Sequence, residues 1–327
     1  MHIQWFPGHM NRAKRAIQEL TEEIDVIIEL LDARAPFSSC NPLIQNIIRY
    51  KRKIRILNKS DLADPAISKI WLDYFTAQES TIAILGDKDN KKQRERIIKL
   101  CHEIAPARGT SFEKPLRVMI TGIPNVGKST LINQLIGKKS AKTGDVPAVT
   151  KANQRLYVND NFVIFDTPGM MWQKIRYPQI GYNLAICNSI GRNALDEEMV
   201  ALYLIEFLAT SQYRDSFATR YKLKPEHLAL DADNLLNILA NKRGCIMTGG
   251  IIDRQKISEI VIQDSRDGKI GKISLETPQM WEEWIASAID DEEESIADDD
   301  EEMVRREYEY NEAEQQADKP YNRNWKK

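Results

Sequence analysis

The sequence predicts an α/β fold, a doubly wound and mainly parallel sheet, followed by a mostly α-helical region and an acidic tail. Up to about residue 175, apolar runs of strand length alternate with segments of helical spacing, as in a sheet covered by helices on both faces. The strand signal then fades, and residues 290–327 carry 15 Asp/Glu against 6 Lys/Arg. We therefore expect three parts, at residues 1–177, 178–289 and 290–327.

The first part opens with a helix and a buried strand. RAIQELTEEI (15–24) places its apolar residues at helical spacing, and VIIELLDA (26–33) is a continuous apolar run, as expected for a strand buried on both faces. Further strands are predicted at 53–57, 80–85, 116–122, 154–158 and 161–166, the last two as a hairpin, with helices at 65–78 and 91–105.

The second part is predicted to be helical. One segment, 231–244, has Asp231 or Asp233 as a candidate N-terminal cap and Gly244 where a left-handed residue should end the helix. The other predicted helices cover residues 182–190, 196–209 and 277–289.

Composition excludes several classes of protein. No window approaches the roughly 18 uncharged apolar residues that a membrane span needs, and the N-terminus lacks an apolar core of signal-peptide length. The four cysteines are far apart and form no C-x-x-C pair. They are therefore interpreted as reduced thiols of a cytoplasmic protein, not as a disulfide framework or a metal site.

The charge is unevenly distributed. Ten of the thirteen residues in DDEEESIADDDEE (290–302) are acidic, and such a self-repelling block is predicted to be disordered. The other residues together carry 40 Lys/Arg against 33 Asp/Glu. This mildly basic balance suits a nucleic-acid-binding protein, but it is equally compatible with ordinary surface charge.

The strongest motif is GIPNVGKST (122–130), which fits the phosphate-loop pattern G-x-x-x-x-G-K-[ST]. It follows a predicted strand and opens a predicted helix, which is the context that the motif requires. Gly122 and Gly127 let successive backbone N–H groups face the phosphates. Lys128 would neutralise the β- and γ-phosphate oxygens as a catalytic group, and the Ser129 hydroxyl would ligate Mg²⁺.

A second phosphate-side motif is DTPG (166–169), at the end of a predicted strand about forty residues later. Asp166 would hold the magnesium shell, and the Gly169 backbone N–H would meet the γ-phosphate. A simple turn after a strand is the alternative. In the polar loop 142–151 between the two motifs, Thr150 is a candidate for closing on Mg²⁺ and the γ-phosphate as a further catalytic group.

NKSD (58–61) suggests which base is bound. The Asp61 carboxylate can accept two hydrogen bonds from guanine, whereas adenine offers no such pair of donors. Asn58 can brace the loop, and the stem of Lys59 can lie over the base. This motif precedes the phosphate loop in the chain, an order that a circular permutation explains because parallel strands can be re-cut at surface loops.

Taken together, these motifs closely resemble the RbgA/YlqF family of circularly permuted GTPases. The resemblance runs from residue 3 to about residue 284, and the matching segments are IQWFPGHM (3–10), DARAPFSSCNP (32–42), NKSD, GIPNVGKSTLIN (122–133), KTGDVPAVTK (142–151), DTPG and KRGCIMTGGIID (242–253).

The family resemblance implies a fold, an activity and partners. It implies a permuted P-loop GTPase domain followed by a helical domain that contacts RNA or the particle. The enzyme would bind GTP, GDP and Mg²⁺, act on a precursor of the large ribosomal subunit (rRNA and ribosomal proteins) and leave after hydrolysis. We expect a cytoplasmic monomer that binds neither DNA nor membranes.

The resemblance also assigns further nucleotide contacts. They are Val126 and Thr130 in the phosphate loop, Asn125 as a possible ligand of K⁺, and Gly86 and Asp87 on the guanine side. Members of the family usually carry a small hydroxyl residue in this last place, so the contact with the base would be weaker or made by backbone alone. The family's P-G-[IV]-T switch also reads PAVT (147–150) here.

The residue that activates water is missing from its usual place. Many GTPases carry a glutamine directly after the D-x-x-G glycine, whereas this chain has Met170. His9, in a loop before a basic helix, is the candidate replacement, although an idle surface histidine is the commoner case. A nucleotide-gated RNA-binding or scaffold module with negligible hydrolysis is the alternative function. A small-subunit assembly GTPase is disfavoured, because its OB domain and Cys/His zinc site are not found.

Overall fold

The computed structural model of the chain describes residues 15, 17–87, 90, 92–111, 113–137, 154–171, 175, 177–191 and 196–286. The described residues up to Pro278 belong to one compact unit, and those from Gln279 belong to a second. The predicted boundary between residues 177 and 178 remains a prediction.

A six-stranded sheet forms the centre of the larger unit, and it confirms the predicted fold class. The strand order is β3-β2-β1-β4-β6-β5, with β5 and β6 antiparallel and all other neighbours parallel. Residues of β1 and β6 are buried throughout, which is why these strands appear in the sequence as continuous apolar runs. The strands are β1 (Val26–Asp32), β2 (Lys53–Asn58), β3 (Thr81–Leu85), β4 (Leu116–Gly122), β5 (Gln154–Asn159) and β6 (Phe162–Asp166).

Helices cover the sheet and form the region that follows it. Helix α1 covers residues 17–23 and α11 covers 278–286. Between them lie α2 (Pro42–Ile48), α3 (Pro65–Thr76), α4 (Gln93–Ile104), α5 (Lys128–Ile136), α6 (Pro178–Ile186), α7 (Glu197–Thr210), α8 (Arg214–Tyr221), α9 (Ala232–Arg243) and α10 (Arg254–Arg266).

Two hydrophobic clusters pack against the sheet. One joins α1 and α2 to the sheet through residues such as Ile17 and Met119. The other lies around Trp71, whose ring stacks on Phe75 at a centroid distance of 5.3 Å. These clusters fix the strands, so the loops that leave the carboxyl ends of β1, β2, β4 and β6 have rigid starting points.

The sheet topology also indicates where a ligand is expected to bind. The chain runs from β1 through β2 to β3 at one edge and then returns to place β4 on the other side of β1. Ligands of open α/β sheets bind beyond the carboxyl ends of the strands at such a reversal of strand order. The motifs after β2, β4 and β6 all lie at these ends.

Several helix boundaries differ from the sequence-based expectation. Helix α6 begins at Pro178 and not at residue 182, since proline fits the first turn of a helix. It ends at Ile186 because Asn188 has a positive φ of 62°. Helices α2, α8 and α10 were not predicted at all. Asp231 caps α9 and Gly244 ends it with a φ of 66°, as predicted. Across the described ranges, no helix is both long and apolar enough to cross a membrane.

Candidate nucleotide-binding site

The phosphate loop connects β4 to α5 and has the backbone of an anion-binding turn. Gly122, Asn125 and Gly127 have positive φ angles of 153°, 57° and 107°. A Cβ on Gly122 would lie 2.7 Å from the backbone oxygen of Leu30, so the loop runs close to β1. The α5 helix begins directly afterwards at Lys128, and its N-terminal N–H groups and dipole favour a phosphate at this place.

Lys128 is held inside the loop. Its side chain is buried, and the Nζ atom donates to the backbone oxygens of Gly122 and Ile123 at 3.0 and 2.8 Å. Burial lowers the pKa of this ammonium to about 8, although the nearby Asp166 carboxylate opposes the shift. The positive charge of Lys128 is therefore only partly balanced by neighbouring groups, as expected for a lysine that binds phosphate.

Asp166 and Gly169 reach the same place from the end of β6. The Asp166 side chain is buried, its Oδ1 atom has no hydrogen-bond partner within the described part of the protein, and burial raises its pKa to about 6. A Cβ on Gly169 would lie 2.8 Å from Lys128 Nζ and 3.1 Å from the Pro124 nitrogen. DTPG therefore packs directly on the phosphate loop.

Asn58 joins the base-side loop to the phosphate loop across 68 residues of sequence. Its Nδ2 atom donates to the Val126 backbone oxygen at 2.8 Å. A Cβ on Gly127 would lie only 2.3 Å from the same nitrogen. The two motifs, which are in an unusual order along the chain, are thus adjacent in space.

The loop at Gly86 packs against the NKSD loop. The Ser60 backbone nitrogen and hydroxyl both donate to the Gly86 oxygen, at 3.1 and 3.0 Å. A Cβ on Gly86 would lie 2.5 Å from Ile56 Cγ2 and 2.9 Å from Asn58 Oδ1. This close approach favours glycine here, and it gives a packing reason for the absence of the usual hydroxyl side chain. Asp87 is anchored through its backbone nitrogen to Gln93.

Asp61 and Lys59 have different environments within NKSD. The Asp61 side chain is half-buried and makes no hydrogen bond or ion pair to any other residue that the structure describes. Lys59, with a φ of 60°, pairs through its Nζ atom with the carboxylate of Asp32 at 2.9 Å. Asp32 in turn binds Arg34. Asp32 and Arg34 both lie in the DARAP segment that carries the resemblance, but no sequence pattern marks the ion pairs that join Asp32 to Lys59 and Arg34.

The phosphate loop also contacts the turn after α6. The Asn125 Nδ2 atom donates to the Asn188 backbone oxygen at 2.8 Å. The neighbouring Cys187 oxygen accepts from Arg34 at 3.4 Å. The motif predicts that Asn125 lies in the loop, but a sequence pattern does not reveal a backbone acceptor such as the Asn188 oxygen.

The remaining predicted residues lie partly inside and partly outside the described ranges. Ser129 is half-buried and Thr130 exposed in the first turn of α5. His9 and Thr150 lie outside the described residues, as do the PAVT segment and the acidic tail. Met170, in the place of the usual glutamine, is buried, and its backbone oxygen accepts from Asn41 at 2.8 Å.

The chain is similar in sequence to known ribosome-associated GTPases. Residues 117–242 match a protein family described as 50S ribosome-binding GTPase. The ribosome biogenesis GTPase A of Priestia megaterium is 41% identical over 285 residues, which cover 85% of this chain and 98% of that protein. Its namesake in Bacillus cereus is 39% identical, with 87% and 97% covered.

Solved structures show the same fold. GNP-bound YlqF from Thermotoga maritima superimposes with a TM-score of 0.58 at 25% identity, covering 82% of this chain and 98% of that one. The matches to these relatives cover enough of the chain to include the NKSD motif, the phosphate loop and the helices that follow the sheet. The chain therefore belongs to the RbgA/YlqF family of ribosome biogenesis GTPases, and it is a circularly permuted GTP hydrolase of that process.

Proposed function

We propose that this GTPase binds a late precursor of the large ribosomal subunit in the cytoplasm, promotes its maturation and is released when GTP is hydrolysed. The observation that carries the nucleotide part is the contact between Asn58 and Val126, which brings the base-side and phosphate loops together. The description of the matching family as 50S ribosome-binding supports the partner. Monomeric protein would bind rRNA and ribosomal proteins through the helical region at 178–289.

Base selectivity rests on Asp61. Its carboxylate, which the protein leaves without a hydrogen-bonding partner among the described residues, would accept hydrogen bonds from the N1–H and exocyclic amine of guanine. We expect Asp61→Asn to shift preference towards xanthine nucleotides, because the amide replaces an acceptor with a donor. Competitive binding of GDP, XDP and ADP measures this, and equal affinity of the unmodified protein for GDP and ADP would contradict it.

A magnesium ion fits the phosphate side. None of the described residues donates a hydrogen bond to the buried Asp166 Oδ1 atom, and a divalent cation with its water shell would satisfy it. Ser129 would supply a hydroxyl ligand, and Thr150 is proposed to complete the site. The ion would neutralise charge on the β- and γ-phosphates.

Potassium is a further proposed cofactor, with Asn125 as its ligand. The donation from Asn125 Nδ2 to the Asn188 oxygen fixes the orientation of the amide in the loop. A monovalent cation beside the β–γ bridge would add the positive charge that an arginine finger adds elsewhere. Hydrolysis should therefore be faster in K⁺ than in Na⁺ at equal ionic strength, and identical rates would rule the site out.

Hydrolysis is proposed to be slow until the ribosomal particle is bound. Met170 is apolar and buried, so it can neither orient nor deprotonate a water. We propose that His9 does so once the particle orders the N-terminal segment over the nucleotide. The decisive experiment compares GTP turnover with and without large-subunit precursors. His9→Ala should lose the stimulation while retaining GTP affinity and particle binding. Full stimulation of this variant would assign the catalytic group to the particle or to another residue.

A further inference from the structure

A buried ion cluster lies directly behind the base-side loop. Asp32, at the end of β1, is fully buried, and its carboxylate accepts four hydrogen bonds. The Oδ1 atom accepts from the backbone nitrogen and Nε of Arg34 at 3.1 and 2.9 Å, whereas Oδ2 accepts from Arg34 Nη2 at 2.8 Å and Lys59 Nζ at 2.9 Å. Both oxygens are therefore fully used.

The cluster holds Asp32 in its charged form. Burial alone would raise the pKa of the carboxyl group, but the charges of Arg34 and Lys59 outweigh it and hold this pKa well below its usual range. Arg34 is itself buried and also donates to the Cys187 backbone oxygen, so it cannot readily follow a moving partner. A permanent anion is thus fixed at a point that Lys59 reaches.

The ion pair with Asp32 fixes the side chain of Lys59. Lys59 has a φ of 60°, a conformation that L-residues seldom adopt, and it lies between the tether Asn58 and the base-reading Asp61. About a quarter of its side chain is exposed although its ammonium group is paired. The apolar stem is therefore held in one orientation, with surface left over to contact a ligand.

We infer that Asp32, secured by Arg34, is a positioning residue for guanine-nucleotide binding, which holds Lys59 so that its stem covers one face of the purine. This inference rests on the proposed guanine site at NKSD. Asp32 would not touch the nucleotide. Its contribution is the order that it imposes on Lys59 before binding, which removes part of the entropy cost of forming the site.

The test is a double-mutant cycle read as dissociation constants for GDP. Lys59→Met keeps an apolar stem but removes the ammonium, and Asp32→Asn removes the anchoring charge. Each should weaken GDP binding by about three- to tenfold, the entropy cost of immobilising one flexible side chain on binding. The double variant should be no weaker than Lys59→Met alone, because Asp32 acts through Lys59. Additive losses, or unchanged affinity in Lys59→Met, would overturn the inference.

Two further variants keep the result interpretable. Lys59→Arg retains a cation for Asp32 and should lose less GDP affinity than Lys59→Met does; an equal or larger loss would count against the inference even if Asp32→Asn failed to fold. Asp264→Asn is the matched control, since Asp264 is a buried carboxylate that binds Arg220 and Arg243 in the helical region. It should leave the GDP dissociation constant unchanged.

The outcome separates this inference from the proposed function. If Asp61→Asn fails to alter base preference, the guanine site itself is wrong. If Asp61→Asn alters it while Lys59→Met binds GDP normally, only the role of Asp32 is refuted.

Discussion

Replacing Gly127 with alanine perturbs the point where the two nucleotide loops meet. This residue precedes α5 with a φ of 107°, in the left-handed region. A Cβ added here would lie 2.3 Å from Asn58 Nδ2, much closer than any real contact. Asn58 would have to move, and its hydrogen bond to the Val126 oxygen would break.

The expected loss of GDP affinity follows from the backbone strain at residue 127 and from the broken hydrogen bond of Asn58. Left-handed backbone costs an L-residue about 1–2 kcal/mol, and loss of one intramolecular hydrogen bond costs about 1 kcal/mol. The free loop can relax, but nucleotide binding must restore the native turn, so the cost of about 2–3 kcal/mol should appear in the affinity. At 1.4 kcal/mol per factor of ten, Gly127→Ala should weaken GDP binding by about 30- to 140-fold.

The control is Gly137→Ala at the other end of the same helix. Gly137 also has a positive φ, 74°, but a Cβ there would meet no other described residue within 4 Å. This variant should lower the melting temperature through backbone strain and leave GDP affinity unchanged. Titration with a fluorescent GDP analogue, followed by competition with GDP, measures both proteins. Affinity of folded Gly127→Ala within about threefold of the unmodified protein would refute the reasoning.

Three further predictions concern buried charges. Lys128→Ala should abolish single-turnover phosphate release without unfolding the protein, because the proposed role of its ammonium is to bind phosphate and its hydrogen bonds to other described residues go only to the phosphate loop. Asp166→Asn should raise the melting temperature of the nucleotide-free protein near pH 7.5. Because the pKa of Asp166 is raised to about 6, its ionisation costs stability as the pH rises from about 4 to 6, and the neutral amide avoids that cost. The same variant should weaken Mg²⁺-dependent GTP binding. Glu276 is fully buried, and burial raises its pKa to about 7. Its contribution to stability should therefore decline between about pH 4.5 and 7, and Glu276→Gln should flatten that part of a plot of melting temperature against pH.

Much of the local geometry of the candidate site could be predicted because it depends on residues that are close in sequence. The glycines of the phosphate loop occur where positive φ angles are needed, and DTPG ends a buried strand as expected. Gly244 likewise ends α9. These features depend on residues a few positions apart, which a linear pattern records.

What could not be predicted depends on neighbours that are remote in sequence. Asp32 and Lys59 meet because β1 and β2 are paired in parallel with Asp32 opposite Asn58, a register that the sequence does not state. The pairing of Asn125 with Asn188 depends on a backbone oxygen. Helix α2 was missed because it has only seven residues and a short apolar pattern, although Pro42 and the Asn41 cap mark its start.

Circular permutation changes which element leaves the nucleotide site and leaves the site itself intact. Strand pairing places β1 between β2 and β4, so the base-side loop reaches the phosphate loop whatever their order along the chain. In the permuted order, β6 is the last strand along the chain, and the segment after DTPG leads to α6. The turn after α6 then returns to accept hydrogen bonds from Asn125 of the phosphate loop and from Arg34, which shares Asp32 with Lys59. The phosphate loop is thereby joined to the turn after α6 by a direct hydrogen bond, and the NKSD loop is joined to it through Asp32 and Arg34.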